Sequence, residues 1–261
     1  MNKCKVGFIG YGNMAKAIAA SFEKMKQVTD IFAYDVNTSA GNGIAKMTES
    51  AAETIAAADK VFLSVKPQMA AEALGGCDFT GKTVISIMAG IKIEDVAKLC
   101  RGSEKIVRVM PNLCARVGKA VNAYCAVGLS EDELRDVAEL LGAFGLASAI
   151  DESFFDTITG LTGSSPAYTF RYAKDITAVG VKHGLSFEQS RDLVLYCIAG
   201  CMDMMRSAAS LEEMQTMIDN GCSKGGTTIE GIYKLDAGNF DDTVMSAIDA
   251  AIARSAELGK K

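Results

Sequence analysis

The chain has 261 residues, of which 49% are hydrophobic and 23% are charged, and this composition excludes a disordered or fibrous protein. Its formal net charge of −5 provides no overall basic character, so we expect neither nucleic acid nor a membrane surface as a partner. The apolar stretch near the N-terminus is too short for a signal peptide, and no later segment approaches membrane-spanning length. We therefore expect a soluble, cytoplasmic protein.

The first 150 residues alternate short β-branched runs with helical stretches. The predicted strands are 5–9, 31–34, 61–65, 83–87 and 106–109. Such alternation is typical of βαβ units around a parallel sheet. The sequence therefore predicts an α/β fold, with a doubly wound, mostly parallel Rossmann domain over residues 1–150.

The β runs vanish after Asp151, and the rest of the chain shows helical periodicity. Apolar residues recur at helical spacing in the segments 167–182, 187–206, 211–219 and 240–257. This pattern predicts an all-helical domain over residues 151–261. The segment 193–202 is apolar on every face, so we expect a second subunit to cover it. The alternative is a central helix surrounded by its own neighbours.

The eight cysteines contain no Cys-x-x-Cys pair, and in a chain of this length they predict reduced, buried thiols. Cys197 and Cys201 share one helix face, where we expect them to fill core space. The only histidine, His183, lies at a predicted helix end and is interpreted as a surface or C-capping residue. We therefore expect no metal site.

The first predicted strand leads into Gly10-Tyr11-Gly12-Asn13-Met14-Ala15, which matches the pattern G-x-G-x-x-A at the start of a helix. Gly10 permits the tight turn, Gly12 leaves room for a pyrophosphate, and Ala15 allows close packing of helix and strand. Asp35 ends the second predicted strand and is placed to bind a ribose 2′-hydroxyl. Its charge favours NADH over NADPH, and the alternative is that Asp35 simply begins the following turn.

Two further motifs end predicted strands and contain proline. They are Val65-Lys66-Pro67 and Arg108-Val109-Met110-Pro111-Asn112, with Ser86-Ile87-Met88-Ala89-Gly90 between them. Ligands bind outside the carboxyl ends of parallel strands, so these segments are expected to line a nicotinamide site. Simple rigidity of the loops is the alternative, because proline fixes φ with or without a ligand.

A glycine-rich loop precedes one helix of the second half, at Gly221-Cys222-Ser223-Lys224-Gly225-Gly226-Thr227-Thr228. Thr227 and Glu230 match a capping box, which explains the threonine without any ligand. A cap does not require Gly225 and Gly226, however. Their N–H groups and the neighbouring hydroxyls are donors suited to a carboxylate, and we favour an anion site.

Taken together, these motifs resemble the pyrroline-5-carboxylate reductase family. The resemblance also covers Met88-Ala89-Gly90-Ile91, Thr162-Gly163-Ser164-x-Pro166-Ala167-Tyr168 and Ser223-x-Gly225-Gly226-Thr227-Thr228-Ile229. It implies NAD(P)H-dependent reduction of a cyclic imine to proline by homodimers that can assemble into decamers. The chain departs from the family pattern at Ser165, Lys224 and Ala51, where the family usually has Gly, Pro and Asn.

The resemblance also implies the site residues. Thr228 would orient the ring nitrogen of the substrate, and Ser223, Gly225, Gly226, Thr227 and Thr228 would bind its carboxylate and ring. The residues assigned to the cofactor are Gly10, Gly12, Asn13, Met14, Ala15, Asp35, Val65, Lys66, Pro67, Ala89 and Asn112. A protonated imine accepts hydride without a metal or a strong base, so positioning is expected to supply most of the catalysis.

Two other functions are considered. A β-hydroxyacid dehydrogenase also joins a Rossmann domain to a helical one, but its K-x-x-x-N motif is missing because Ala178 stands four residues after Lys174. A non-catalytic nucleotide sensor would use the same cofactor fold. A sensor has no need of a second anion site, so the loop from Ser223 to Thr228 argues against it.

Overall fold

The computed structural model describes residues 2–259, which form eight strands and eleven α-helices within this range. The predicted limits at Met1 and Lys261 lie outside the described residues. The strands are β1 (Cys4–Ile9), β2 (Val28–Tyr34), β3 (Lys46–Met47), β4 (Lys60–Leu63), β5 (Thr83–Ser86), β6 (Lys105–Met110), β7 (Ala120–Val127) and β8 (Gly145–Ala149). The helices are α1 (Asn13–Phe22), α2 (Ala51–Ala57), α3 (Ala70–Leu74), α4 (Ile93–Leu99), α5 (Glu131–Gly142), α6 (Phe155–Ile158), α7 (Ser165–Lys182), α8 (Phe187–Met205), α9 (Leu211–Asn220), α10 (Thr227–Ala237) and α11 (Phe240–Leu258).

All eight strands belong to one sheet with the order β3-β2-β1-β4-β5-β6-β7-β8. The first six strands pair in parallel, β7 pairs antiparallel with β6, and β8 pairs parallel with β7. The order 3-2-1-4-5-6 is that of a Rossmann domain, which places the topological switch between β1 and β4. The predicted doubly wound, mostly parallel sheet is confirmed, and each of the five predicted strands is present.

Three strands were not predicted. β3 has only two residues, and β7 and β8 are rich in alanine, which has low β propensity. Pairing stabilises these strands: β7 aligns five residues with β6 and five with β8. Phe144, just before β8, is fully buried and packs edge to face against Phe22. Tertiary contacts therefore outweigh local preference at this edge.

Two apolar clusters fill the space on either side of the sheet. One includes the aromatic residues of β1, α1 and β4, in which Phe8 stacks on Phe62 with ring centroids 5.0 Å apart. The other lies under α2, α3 and α4 and contains Ile55, Leu74 and Val96. Strand residues alternate between the two faces, which explains why the strands of this parallel sheet are apolar on both sides.

The chain packs into two compact units. One contains the residues up to Ser164 together with those from Ala250 onward, and the other contains Ser165–Asp249. This packing differs from the predicted division at residue 150, because Glu152, Phe155 and Thr162 contact β6 and the loop after it. The C-terminal end of α11 returns to the first unit, where Ser255 donates to Asp156 at 2.6 Å. The division of function at residue 150 stays a prediction.

The second unit consists of helices, and it lies within the all-helical region that was predicted for residues 151–261. Among the described residues, α8 is exposed along its apolar positions, with Leu193, Tyr196 and Met204 at 64%, 86% and 68% exposure. Its own neighbours therefore do not cover it, which contradicts the alternative of a central helix. Cys197 and Cys201 are exposed as well, so within the single chain they do not fill core space as predicted.

Within residues 2–259, no helix is both long and apolar enough to span a membrane.

Candidate active site

A pocket of about 230 Å³ opens at the carboxyl ends of β1, β2 and β4. Sequence reasoning assigned five of its lining residues to a cofactor, namely Gly10, Gly12, Asp35, Val65 and Lys66. The lining residues that it missed are Ile9, Tyr34, Val36, Ser64, Met69 and Ala73. Only their position in the sequence could have indicated these residues, because each lies at or just beyond the end of a predicted strand or in the segment after Pro67. The switch point of the sheet is thus a pocket, as the order of the strands requires.

Gly10 lines this pocket. Its φ is +85°, a left-handed conformation that glycine adopts without strain. A Cβ at this position would stand 2.9 Å from the backbone C and O of Ser64. Gly12 is different, since a Cβ there would meet nothing within 4 Å. The first glycine is therefore required by the fold, whereas the second leaves open space above the start of α1.

Gly12 is the N-cap of α1, and no side chain caps this helix. The N–H groups of the first turn are thus left for another acceptor, and the helix dipole favours an anion there. Ala15 is buried against the sheet, as predicted from its small size. Asn13 is exposed and lines a separate cleft with Lys16 and Arg116, not the pocket.

Asp35 is held by two backbone donors. Its Oδ2 accepts the N–H of Tyr11 at 2.6 Å, and its Oδ1 accepts the N–H of Asn37 at 2.8 Å. The bond to the Asn37 N–H forms the turn after β2, which is the alternative role that the sequence suggested for Asp35. The bond from the Tyr11 N–H joins the end of β2 to the glycine-rich turn, so this N–H is already engaged by Asp35. Each carboxylate oxygen still has a lone pair that can face a ligand.

The side chain of Tyr11 belongs to the core beneath the turn. It is fully buried, and its hydroxyl donates to Asn42 Oδ1 at 3.1 Å. Burial raises the pKa of the Tyr11 phenol above its ordinary value, so this group stays neutral. The neutral, buried Tyr11 side chain anchors the glycine-rich turn to the core, while Gly10 and Gly12 on either side of it line the pocket.

Ser64 contributes a buried polar atom without a partner. Its Oγ is inaccessible to solvent, lies in a residue that lines the pocket, and has no hydrogen bond within the described structure. A buried hydroxyl without a partner is costly, and such groups are rare in folded proteins. Together with the glycine cradle and the uncapped helix, this hydroxyl fits a polar ligand such as a dinucleotide.

The remaining predicted cofactor residues lie outside the pocket. Pro67 begins a 3₁₀ turn after Lys66, Met14 packs against the core, and Ala89 is exposed in the turn after β5. Asn112 is 6% exposed, and both ends of its amide are engaged. Its Nδ2 donates to the Thr162 carbonyl at 3.0 Å, and its Oδ1 accepts the N–H of Cys114 at 3.2 Å. In this structure Asn112 organises the loop after β6.

The second unit contains the glycine-rich loop, in which Gly225 has a φ of +71° and Gly226 donates its N–H to the Ser223 carbonyl at 3.0 Å. This turn makes Gly226 the N-cap of α10, one residue before Thr227. The predicted capping box of Thr227 and Glu230 is therefore wrong. A glycine has no side chain to cap the helix, so the first N–H groups of α10 are left without a side-chain acceptor.

The loop also presents hydroxyl groups. Ser223, Thr227 and Thr228 are all exposed, and the Thr228 hydroxyl makes no hydrogen bond within the described structure. A Cβ at Gly226 would lie 2.4 Å from Ser223 Oγ, so a larger residue there would turn this hydroxyl away from its present position. Hydroxyl and backbone donors thus gather at a helix start, which suits a small anion. Among the described residues, no group of three or more His, Cys, Asp or Glu side chains could hold a metal ion.

Comparison with known proteins agrees with both parts of the chain. Residues 152–258 match the family described as pyrroline-5-carboxylate reductase dimerisation, and residues 5–90 match the family described as NADP oxidoreductase, coenzyme F420-dependent. A pyrroline-5-carboxylate reductase of Aquifex aeolicus is 36% identical over 267 residues, covering 97% of each chain. The chain belongs to the pyrroline-5-carboxylate reductase family. The resemblance drawn from the motifs is confirmed.

Other members of this reductase family support the same conclusion. The Arabidopsis thaliana enzyme is 34% identical and covers 98% of this chain, which in turn covers 96% of that enzyme. A crystal structure of Plasmodium falciparum pyrroline carboxylate reductase, with NADP bound, superposes with a TM-score of 0.90 at 30% identity and covers 99% of both chains. These full-length matches to reductases set aside the two other functions that were considered, a β-hydroxyacid dehydrogenase and a non-catalytic sensor.

Proposed function

We propose that this chain reduces the C=N bond of 1-pyrroline-5-carboxylate with NAD(P)H and releases L-proline, the last step of proline biosynthesis. The observation that carries the proposal is the full-length match to reductases of this name, at 36% identity over 97% of both chains for the Aquifex aeolicus enzyme. The glycine cradle with its uncapped helix, and the separate donor-rich loop, fit the two ligands that this reaction requires.

The residues of the first unit fit a dinucleotide. Gly12 and the free N–H groups of α1 would hold the pyrophosphate, and the unpartnered Ser64 hydroxyl supplies a further donor at the pocket wall. Asp35 would accept a hydrogen bond from the ribose, while Val65 and Lys66 line the same pocket. The predicted contacts of Asn13, Met14, Ala15, Pro67, Ala89 and Asn112 stay part of the proposal. When bound, reduced nicotinamide supplies the hydride.

The loop from Ser223 to Thr228 would hold the substrate. The N–H groups at the start of α10 have no side-chain cap, so a carboxylate can accept from Gly225 and Thr227 together with the Ser223 hydroxyl. Gly226 stays part of the proposed substrate site as the residue that forms the turn, because its N–H already donates to the Ser223 carbonyl. The family has proline at the position of Lys224, and here an exposed ammonium group stands beside this anion site. Binding of the carboxylate fixes the ring and thereby the orientation of its C=N bond.

Thr228 is the residue that we assign to the ring nitrogen. Its hydroxyl is exposed and makes no hydrogen bond within the described structure, so it is free to bind the substrate. A threonine hydroxyl is a weak acid, and its role is therefore to orient the nitrogen or to relay a proton from water. Holding the imine in a reactive geometry can contribute about 7–11 kcal/mol to lowering the barrier.

The reaction itself provides the first test. Purified protein is mixed with NADH or NADPH and the cyclic imine, and loss of the absorbance of the reduced nicotinamide is followed together with formation of proline. We expect both to proceed at equal rates. A protein that binds the cofactor, but consumes none of it when the imine is added, would disprove the proposed function.

The choice between NADH and NADPH gives a second test. The Asp35 carboxylate should repel a 2′-phosphate, so we propose a preference for NADH. Replacement of Asp35 by Asn removes the charge but keeps an acceptor for the Tyr11 N–H, and it should shift the ratio of kcat/KM values toward NADPH by about tenfold, since 1.4 kcal/mol is a factor of ten. Asp30→Asn is the matched control, because it removes a carboxylate of β2, the strand that Asp35 follows, at its ion pair with Lys46. An equal ratio in wild type and Asp35→Asn would reject the ribose role.

The helical part of the chain, residues 152–258, is the dimerisation domain of the family, and we propose that the exposed face of α8 forms the dimer interface. Assembly of five such dimers into a decamer is a further part of the proposal. Tyr196→Glu places a charge on the most exposed apolar side chain of α8, and burial of an unpaired charge is strongly unfavourable. Light scattering should therefore show monomers for Tyr196→Glu and unchanged oligomers for Thr216→Glu, a substitution at an exposed polar position of α9. A dimeric Tyr196→Glu protein would place the interface elsewhere.

A cytoplasmic location also stays part of the proposal. All eight cysteines are free thiols, which is the state that a reducing compartment maintains.

A further inference from the structure

The nearly buried guanidinium of Arg108 lies in the sheet, and Arg108 is far in sequence from every residue assigned to the substrate. Arg108 occupies the fourth position of β6, and its side chain is 8% exposed. Neighbouring strand residues Val107 and Val109 join the core on one face of the sheet, whereas Ile106 joins the core on the other. By alternation Arg108 projects to the face of Ile106, where α4 packs. A permanent charge there requires a specific partner.

Glu152 is this partner, and it bridges two elements. Its Oε1 accepts a hydrogen bond from Arg108 Nη1 at 2.9 Å and another from the N–H of Ile93 at 2.8 Å. Ile93 is the first residue of α4, whose N-cap Lys92 makes no side-chain cap. A carboxylate from 59 positions later in the chain thus replaces a local cap and joins β6 to the start of α4.

The residue paired with Arg108 on the neighbouring strand β7 carries no charge that could bind the guanidinium. Cys125 of β7 stands beside Arg108, and burial together with the nearby Glu152 raises the pKa of its thiol to about 11. The thiol is therefore neutral at physiological pH. Glu152 supplies the only ion pair of Arg108 within the described structure.

The segment that begins at Glu152 is fixed to the end of β6 at further points. The Arg108 guanidinium stacks over the Phe155 ring at 4.3 Å from its centroid, and Phe155 is 2% exposed. Seven residues later, Thr162 accepts the hydrogen bond from Asn112 within a π-helical turn, a feature often found at functional sites. A Cβ on Gly163 would lie 2.9 Å from the Met110 side chain, which shows how closely this segment approaches the loop after β6.

We propose that Arg108 and Glu152 are a positioning pair, which fixes the loop after β6 through the segment from Glu152 to Thr162 and thereby controls the rate of hydride transfer. The inference rests on the proposed function, because it assigns this loop and its Asn112 to the nicotinamide side of the site. Neither residue of the pair lines the cofactor pocket. Their effect is therefore on geometry at the end of β6, and not on binding of the dinucleotide at the end of β1.

The experiment compares Arg108→Met, Arg108→Lys and Glu152→Gln with wild type. Glu152→Gln retains an acceptor for the Ile93 N–H, and Arg108→Lys retains the charge but loses the planar stacking on Phe155. We expect kcat to fall about tenfold to a hundredfold in Arg108→Met and Glu152→Gln, because small displacements of a reacting group have effects of this size. The KM for the cofactor should change by less than about threefold, and Arg108→Lys should recover part of kcat.

The decisive measurement is the deuterium isotope effect on kcat with cofactor deuterated at the transferred position. A misplaced loop makes hydride transfer slower relative to product release, so the isotope effect should rise in Arg108→Met and Glu152→Gln. Loss of stability alone would lower the melting temperature and leave the isotope effect of the folded fraction unchanged. Glu133→Gln is the matched control, since it removes the ion pair with Lys105 at the other end of β6 while a glutamine still supports the cap of α5.

An unchanged kcat and isotope effect in Glu152→Gln, whatever its melting temperature, would overturn the inference. Where Arg108→Met or Glu152→Gln fails to fold, Arg108→Lys decides the matter, because it keeps both charges and removes only the stacking on Phe155. An unchanged kcat and isotope effect in Arg108→Lys would then overturn the inference. Failure of the proposed function would look different: wild type itself would then oxidise no cofactor in the presence of the imine.

Discussion

Replacement of Thr228 by alanine is expected to lower kcat/KM for the cyclic imine by about a hundredfold, the lower end of the range for loss of a positioned proton-handling group. The dissociation constant of NAD(P)H should stay the same, because Thr228 belongs to α10 and the dinucleotide pocket is formed by β1, β2 and β4. The melting temperature should stay the same as well, since the hydroxyl makes no hydrogen bond within the described structure.

Two variants make this result interpretable. Thr228→Ser restores the hydroxyl and should recover most of the activity. Thr216→Ala removes a hydroxyl from an exposed position of α9, where it bonds only to the Glu212 carbonyl, and should leave kcat/KM unchanged. Steady-state kinetics with a varied imine concentration measures all three variants. Wild-type kinetics in Thr228→Ala would remove this residue from the mechanism and leave water as the source of the proton.

The second large effect concerns the two glycines at the start of α1. Gly12→Ala should fold normally, because the added methyl group meets nothing within 4 Å and φ is −79°. It should nevertheless weaken binding of NAD(P)H by about tenfold to a hundredfold, since a methyl group there displaces the pyrophosphate from charge-assisted bonds of about 1.5–3 kcal/mol. Fluorescence titration of the reduced cofactor, with thermal unfolding measured in parallel, separates the two effects.

Gly10→Ala should damage the fold itself. The new methyl group would lie 2.9 Å from the Ser64 backbone, at a positive φ that costs an alanine about 1–2 kcal/mol. Gly43→Ala provides the control, because its φ of +82° carries the same strain in open space. Gly10→Ala is expected to be the less stable of the two. Equal melting temperatures would show that the contact with Ser64 yields at little cost, and an unchanged cofactor affinity in Gly12→Ala would contradict its assigned role.

Local signals explain how much of the fold was predictable. The five strands from β1 to β6 that were predicted are short runs of β-branched and aromatic residues, and the glycine-rich turn follows the first of them. By contrast, Asn122 of β7 is fully buried and donates to the Leu141 carbonyl, in a strand otherwise composed mainly of alanine and valine. No local pattern marks such a strand, because its stability comes from neighbours that are far away in sequence.

The candidate site shows the same limit. Gly10, Gly12 and Asp35 were predicted together because the dinucleotide pattern fixes their spacing, and the structure brings them into one pocket. Ser64 was missed, since a serine at a strand end has no distinctive pattern until the absence of a partner for its Oγ is seen. The capping box of Thr227 and Glu230, the less favoured alternative for this loop, matched by sequence alone because the sequence cannot show that the turn at Gly225 starts the helix one residue earlier.

Glu152 accepts the hydrogen bond from the first N–H of helix α4, so the sheet domain depends on a residue that follows its last strand. A fragment ending at residue 150 would contain every strand of the Rossmann fold, yet it would leave the Arg108 guanidinium without its counter-charge and the Ile93 N–H without its acceptor. The same cut removes Phe155, whose ring covers the guanidinium, so this part of the sheet would also be exposed to water. The nucleotide-binding half is therefore expected to be less stable when the chain is cut at residue 150 than when it continues past Phe155.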